Sequence, residues 1–382
     1  MRRKLVFYAS AKDWNSESPV GSHGYAREFL RQGWTVVFIS VNLTPWHKFL
    51  ARDRDAYHRR IEICDQGGRW SEGHRLLEYV PWSLVHCKWL PKYWQRFDLG
   101  RFGRDMKRHG ISTSPAIVWV DTPEFGCLFD KYAEAKHIFR IADKNRFFFG
   151  VTKQLMRYQM ETARSADTLI VTSFALEDEM KSQGLHNVLR VENAVDRTRF
   201  LSTKARKKPP EYIQLGELPI ALYVGEIQTW FDLEMLKFTA LKLPKVNFVI
   251  IGKVNIDISS VTGIENVIFL GPRDPNTIID YMEFADVGII PFERSEFVDA
   301  INPVKYYEYI ACGLPVVSSR SYELEKLGLP VFLANRPEDF SGQVELALRT
   351  TQEEREYLRK LAHENTWSQR WRKIMDSIEP EG

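Results

Sequence analysis

Ile301-Asn302-Pro303-Val304-Lys305-Tyr306-Tyr307-Glu308-Tyr309-Ile310-Ala311-Cys312-Gly313-Leu314-Pro315-Val316-Val317-Ser318 is the stretch whose reading decides the fold. Asn302-Pro303 is a break signal, and proline suits the first position of a helix. About three helical turns follow, stopped by Gly313 and then Pro315, glycine ahead of proline. Pro315-Val316-Val317 reads as a buried parallel strand. A turn that feeds a helix N-terminus offers unpaired N–H groups and a positive dipole end, which suits a phosphate. Lys305 on the first turn can reach the same anion. Glu308, at i+3 from Lys305, shares its face, where a carboxylate could accept hydrogen bonds from ribose hydroxyls. The same spacing also fits a plain ion pair on a solvated face.

Working back from this stretch, strands and helices alternate. Ala221–Val224 reads as a strand ending at Gly225-Glu226, followed by a helix over Leu233–Leu241 and a strand over Asn247–Ile251 ending at Gly252. Val267–Leu270 ends at Gly271, Ile278–Phe284 is helical, and Val287–Pro291 is the strand before Phe292. Lys204, Arg206, Lys207 and Lys208 with Pro209-Pro210 mark a compositional break, so 201–218 is read as a linker. Before it lies a second alternation: strands at Leu5–Ser10, Thr35–Val41, Ala116–Val120, His137–Ile141, Asp167–Thr172 and Val188–Val191, with helices at Tyr25–Gln32, Lys153–Ser165 and Ala175–Gln183. The β-loop-α-β opening is Rossmann-like but carries no GxGxxG, so no dinucleotide site follows. Ligands of parallel sheets meet the carboxyl ends of strands, which places Asp121 and Asp143 toward a substrate. His23, at the start of the first helix, could reach it as well, although a lone histidine is more often structural. Gln352–Ile378 reads as polar helix, with Trp367 and Trp371 packing back onto the body.

The chain has 382 residues, room for two ordinary domains, and its formal net charge of +3 calls for no nucleic acid. Its four cysteines, Cys64, Cys87, Cys127 and Cys312, are scattered without metal-like clustering, as in a reducing, cytoplasmic compartment. Met1-Arg2-Arg3-Lys4 and the apolar run behind it are too short for a signal peptide. No segment reaches the ~18 apolar residues that span a bilayer.

Residues 42–110 interleave Trp46, Trp70, Trp82, Trp89, Trp94, Tyr93, Phe97 and Phe102 with Lys48, Arg52, Arg59, Arg60, Lys88, Lys92, Arg96, Arg101, Arg104, Lys107 and Arg108. Aromatic and basic side chains mixed in this way suit the headgroup zone of an anionic membrane. The plain alternative is ordinary helices with buried tryptophan and solvated cations. Asp53-Arg54-Asp55 has the form of a metal-binding DxD, but it lies in a charged helical run, where chance is the better account.

Two Rossmann-like halves with a phosphate-type site in the second resemble the GT-B glycosyltransferases, in their GT4-like superfamily. The residues that carry the resemblance are Asn193-Ala194-Val195-Asp196 with Arg199-Phe200, Tyr223-Val224-Gly225, Gly252, Gly271, and Lys305 through Val317. Many retaining members have two glutamates seven residues apart. Here Glu308 is the second, and Ala300 fills the place of the first. An Arg and a Lys usual after the strand at Gly225 are replaced by Glu226-Ile227-Gln228-Thr229-Trp230. This variant is similar to the branch of the xanthan-type, membrane-associated glucuronosyltransferase in three places: His23, Phe139-Arg140-Ile141-Ala142-Asp143, and Val304-Lys305 with Glu308.

The resemblance implies an α/β GT-B fold, with two parallel sheets facing across a cleft and the C-terminal helix packing back. It divides the chain into an acceptor domain (1–200, with 42–110 toward the membrane), the linker and a nucleotide-sugar domain (219–382). It implies transfer from a nucleoside diphosphate sugar, UDP-linked, to a polyprenyl-diphosphate-linked oligosaccharide, with no metal and no cofactor beyond the co-substrate. The enzyme would then lie peripherally on the inner face of the plasma membrane. Asp143 would be the general base of an inverting reaction, although a plain helix cap is its alternative. Gly225, Glu226, Gly252, Arg273, Phe292, Asn302, Val304, Lys305 and Glu308 would surround the donor, and His23 and Asp121 the acceptor. A retaining mechanism, a catalytically silent assembly partner and an epimerase of the same architecture are the competing readings.

Overall fold

The computed structural model describes residues 4–16, 21–50, 53–84, 92–111, 114–147, 151–201 and 206–378. Arg52, Cys87, Lys88, Trp89 and Lys204, and the side chains of Lys92, Tyr93, Trp94, Arg96 and Phe97, lie outside that description. The chain forms two compact units. The first comprises Met1–Thr172, Leu176–Val191 and Trp371–Gly382, the second Ser173–Ala175 and Glu192–Arg370.

The first unit is built on an eight-stranded sheet in the order β3-β4-β2-β1-β5-β6-β7-β8. Its strands are β1 (Leu5–Ala9), β2 (Thr35–Ile39), β3 (Arg69–Ser71), β4 (Leu76–Tyr79), β5 (Ile117–Val120), β6 (Lys136–Ile141), β7 (Thr168–Val171) and β8 (Val188–Arg190). All neighbours pair in parallel except β3 with β4. The central strands read as uninterrupted apolar runs because helices cover both faces, and every residue of Leu5–Ala9 is buried. Tyr8 stacks between Phe38 and Trp119 at 5.6 and 5.3 Å, which fixes the register of three adjacent strands through their largest side chains.

The second unit carries a six-stranded, all-parallel sheet, β11-β10-β9-β12-β13-β14. Its strands are β9 (Ile220–Val224), β10 (Asn247–Ile251), β11 (Val267–Gly271), β12 (Val287–Ile290), β13 (Val316–Ser319) and β14 (Phe332–Ala334). The helix expected from Asn302-Pro303 spans Val304–Ala311, with Pro303 as its N-cap. Tyr306, Tyr307, Tyr309 and Ile310 bury its inner face, so Lys305 and Glu308 fall on the other face by the helical repeat.

Three expectations change. First, 206–218 is no bare linker. Pro210 opens a short helix, Pro210–Gln214, since a proline pair serves a helix start as readily as a break. Tyr212 is fully buried and its hydroxyl donates to the Tyr281 carbonyl at 3.1 Å. The chain passes into the second unit at Val191/Glu192 instead of at 201.

Second, Gln352–Ile378 is two helices, Gln352–Glu364 and Trp367–Ile378. Between them Val195 takes backbone hydrogen bonds with Asn365 and Trp367, at 3.0 and 3.3 Å. Trp367 is buried, and Trp371 meets Phe29 edge-on at 5.6 Å within the first unit.

Third, 42–110 contains the hairpin β3–β4 besides the helices Arg54–Asp65 and Lys92–Arg108. Asp53 caps the first of these helices through the Ala56 amide at 2.9 Å, which gives the DxD triplet a structural role.

Candidate functional site

The second unit gathers most of the expected donor residues at the carboxyl ends of β9, β10 and β12. Gly225 and Gly252 end adjacent strands with φ of 148° and 150°, outside the reach of ordinary L side chains. The Gly225 amide donates to the Ile251 carbonyl at 2.9 Å, and the Gly252 amide to the Gly271 carbonyl at 3.1 Å. A Cβ on Gly252 would stand 1.9 Å from the Gly225 carbonyl oxygen, and one on Gly225 would stand 2.8 Å from Lys305 Nζ. Gly252→Ala must therefore push two strand ends apart at a backbone geometry alanine rarely adopts. The expected cost is about 3 kcal/mol or more, read as a lower urea midpoint at unchanged m-value. A midpoint within error of the parent would refute it.

Lys305 lies against this pair of glycines. Its ammonium sits 3.9 Å from the centroid of the Tyr223 ring and 4.8 Å from that of Phe292, a two-sided aromatic cradle. Among the described residues no carboxylate lies within ion-pair distance of it, and Glu308 forms no i,i+3 bridge with it. Burial lowers its pKa to about 7 against a small opposing pull from Glu308. A cation placed in this way at the start of a helix has the chemistry that suits an anion. Glu308 is shifted the other way, upward, by burial, with Arg199 and Lys305 partly restoring its charge.

Asn302 works behind this surface. Its Oδ1 accepts the Asn193 amide at 2.9 Å, its Nδ2 donates to Glu323 Oε1 at 2.7 Å, and its carbonyl accepts from Asn193 Nδ2 at 2.7 Å. Glu323, fully buried, spends its other oxygen on the Phe174 amide at 2.7 Å. Asn302 thus positions the turn from which Val304 and Lys305 project. Phe292 is buried, its amide donating to Ser319 Oγ. Glu226 is exposed and accepts from Gln228 Nε2 at 2.8 Å.

Arg273 is engaged away from this group. Its Nη2 bonds Glu211 at 2.9 Å, its Nε the Tyr281 hydroxyl at 3.2 Å, and its Nη1 the Leu270 and Pro272 carbonyls. With four of its five guanidinium N–H groups spent in this way, it holds the helix Pro210–Gln214 in place.

In the first unit Asp143 follows the carboxyl end of β6. Among the described residues it caps no helix, and burial raises its pKa against the lowering pull of Arg140. Asp121 is turned inward. Its carboxylate is 6% exposed, accepts from Trp119 Nε1 at 2.6 Å and the Tyr8 hydroxyl at 3.0 Å, and faces Arg140 at 3.7 Å. A carboxylate so enclosed is spent on Trp119, Tyr8 and Arg140 instead of facing outward. His23 is also fully buried, with Nε2 at 2.8 Å from the Asp13 carbonyl and its ring stacked on Trp14 at 5.8 Å. It shapes the loop after β1 and presents no atom to a ligand.

Tyr223, quoted above only as part of the family pattern, is not among the expected donor residues, yet its ring faces the Lys305 ammonium. The signal was present, since residues 223 and 225 of a strand share a face and Gly225 had been singled out.

Two family models match the chain: the N-terminal domain of the glucuronosyltransferase GumK over residues 8–172, and the glycosyl transferases group 1 over residues 219–349. A curated relative, the putative teichuronic acid biosynthesis glycosyltransferase TuaH of Bacillus subtilis, is 28% identical over 314 residues, covering 73% of this chain and 79% of its own. Among solved structures, HepE of Anabaena in complex with UDP and glucose superposes with a TM-score of 0.68 at 13% identity, over 99% of this chain and 100% of that one. Sucrose-phosphate synthase of Thermosynechococcus elongatus gives 0.66 at 14%, over 99% and 98%. A glycosyltransferase of Rickettsia africae gives 0.68 at 14%, over the whole of both chains. At such identities the structural likeness speaks to the fold, while the family matches carry the activity. The protein is a glycosyltransferase of the GT-B fold, similar over its N-terminal part to the GumK N-terminal domain and over its C-terminal part to the group 1 domain.

Proposed function

We propose that the protein transfers a sugar from a UDP-linked donor to a hydroxyl of a polyprenyl-diphosphate-linked oligosaccharide in polysaccharide biosynthesis, at the inner face of the membrane. The observation that carries the donor half is the Lys305 ammonium, cradled by Tyr223 and Phe292 and with no carboxylate partner among the described residues. With the helix N-terminus beside it, this cation stabilises the leaving diphosphate and needs no metal to do so. Glu308, one turn on, holds the ribose. Asp143 takes the acceptor proton in an inverting displacement. UDP in HepE and the teichuronic acid assignment of TuaH support the choice of nucleotide and of pathway class. Calorimetry with UDP, followed by a panel of UDP-sugars on a lipid-linked acceptor with and without EDTA, tests the reading. Absent UDP binding overturns it, and the anomer of the product separates inversion from retention.

The membrane half rests on an exposed apolar group in the first unit. Trp46, Phe49, Trp82 and Leu84 are 64%, 79%, 40% and 67% exposed. The Leu43–Trp82 bridge and the hydrogen bond from the Ser83 amide to the Leu43 carbonyl, at 2.9 Å, bring their two loops together. Lys48 lies exposed between Trp46 and Phe49, and no helix among the described residues is long and apolar enough to cross a bilayer. Aromatic tips beside a cation suit peripheral binding to anionic lipid. Trp46→Ala/Phe49→Ala should cut co-sedimentation with phosphatidylglycerol vesicles about tenfold or more. Equal sedimentation of variant and parent would refute this surface.

A further inference from the structure

The first unit holds a pocket of about 340 Å³ that no role above uses. It opens at the carboxyl ends of β1, β2 and β4, where parallel sheets receive ligands, and lies at the small end of the range for ligand pockets. The loop after β1 gives it Lys12, Asp13, Trp14 and Asn15, β3 and β4 give Arg69 and Glu78, and the helix Arg54–Asp65 gives Arg59 and Arg60.

Its walls are fixed from within the unit. Arg60 grips both oxygens of Asp13 at 2.8 Å and also donates to the Val41 carbonyl. Trp14 is held by Phe38 edge-on at 5.3 Å and by the buried His23. Glu78 accepts from Asn15 Nδ2 at 2.8 Å, while Arg69 stays at 3.5 Å from both its oxygens. That long contact leaves the carboxylate with accepting capacity toward the pocket. Lys12 and Arg59 are exposed at the mouth and make no ion pair among the described residues. An aromatic wall, a fixed carboxylate–amide pair and two unanswered cations are the parts that recognise a polyol carrying a negative charge.

We propose that this pocket binds a negatively charged saccharide unit, with Lys12 and Arg59 meeting its anion and Glu78 with Asn15 meeting its hydroxyls. The inference deepens the glycosyltransferase reading, on which it rests, by making the acceptor glycan acidic. Burial raises the Glu78 pKa, with Arg69 opposing it, as expected of a carboxylate turned into a partly enclosed space instead of into water.

The test uses the full chain with its donor site saturated by UDP, whose binding is measured first. Ligand-observed NMR then compares methyl glucopyranosiduronate with methyl glucopyranoside, and glucose 6-phosphate with glucose. One anionic sugar should bind about tenfold tighter than its neutral counterpart, as two exposed charge contacts supply. Which one does so tells a carboxylate from a phosphate. Lys12→Ala/Arg59→Ala should bring the preference to within about twofold, and Glu78→Gln should weaken charged and neutral sugars alike. Equal binding of charged and neutral sugars by the parent, or a preference that survives the double variant, overturns the proposal. Failure of UDP to bind would instead count against the donor reading, so the two are distinguishable.

Discussion

Asp143→Asn should lower transfer by about 10²- to 10⁴-fold while UDP affinity stays at the parental value. The expectation follows from where the carboxylate stands and what surrounds it. It follows β6 at the sheet's ligand-facing end, caps no helix among the described residues, and is pushed toward higher pKa by burial. Arg140, itself paired with Asp121, is the counter-charge that opposes this rise. A base poised above the ordinary carboxylate range is a better proton acceptor at neutral pH than a solvated aspartate. Asparagine keeps the shape and removes the basicity. The acid limb of kcat/KM should fall at a pH above the usual carboxylate range, and it should vanish from the residual activity of the variant.

Stability gives an independent check with opposite sign. A carboxyl group whose folded pKa exceeds its unfolded value binds its proton more tightly when folded. Its ionisation therefore costs stability as pH rises through the unfolded value, and the full cost persists above the folded one. At pH 7 the asparagine variant should unfold at the parental temperature or above it. Near-normal turnover would remove Asp143 from the mechanism. Lost turnover with a lowered unfolding temperature would assign it to the fold.

How far the chain could be read beforehand depended on whether a residue's role was set locally. Strands such as Leu5–Ala9 and Asn247–Ile251 were legible because burial on both faces demands an unbroken apolar run. The helix from Val304 was legible because its start and stop residues are local. The hairpin β3–β4 was not, since its turn puts Glu72 and His74 at positive φ, 48° and 60°, where sequence leads one to expect glycine or asparagine. Asp121 and Arg273 sat at the expected strand ends, yet each was claimed by a partner distant in the chain: Tyr8 for the first, Glu211 for the second. Nothing in the spacing of charges announces such pairs. The Lys305 cradle shows the same limit from the other side. The cation was found from its place on the helix, while the rings that cradle it come from the ends of β9 and β12.

That lowered pKa gives the donor site a pH dependence that an ordinary lysine would lack. With a free-site pKa of about 7, Lys305 is about nine-tenths neutral at pH 8, whereas an unperturbed lysine would be fully charged. A diphosphate binds the ammonium and not the amine, so binding must take up a proton wherever the free site lacks one. UDP affinity should already be falling between pH 6.5 and 7, as the charged fraction of the free site drops from about three-quarters to one-half. From about pH 8 it should weaken by close to tenfold per pH unit until the pKa of the complex is reached. Calorimetry at pH 8 in buffers of different ionisation enthalpy should show uptake of about 0.9 proton per UDP. Lys305→Met should weaken UDP binding at pH 6.5 by about 10- to 100-fold, the worth of a charge-assisted hydrogen bond to phosphate, and should abolish both the pH slope and the proton uptake. The order of these effects matters. A variant that loses affinity but keeps the slope would move the titrating group elsewhere, to Glu308 first. A parent enzyme whose UDP affinity is constant from pH 6.5 to 9 would mean that Lys305 is already charged in the empty site, and that its aromatic cradle, not an incoming phosphate, holds the proton.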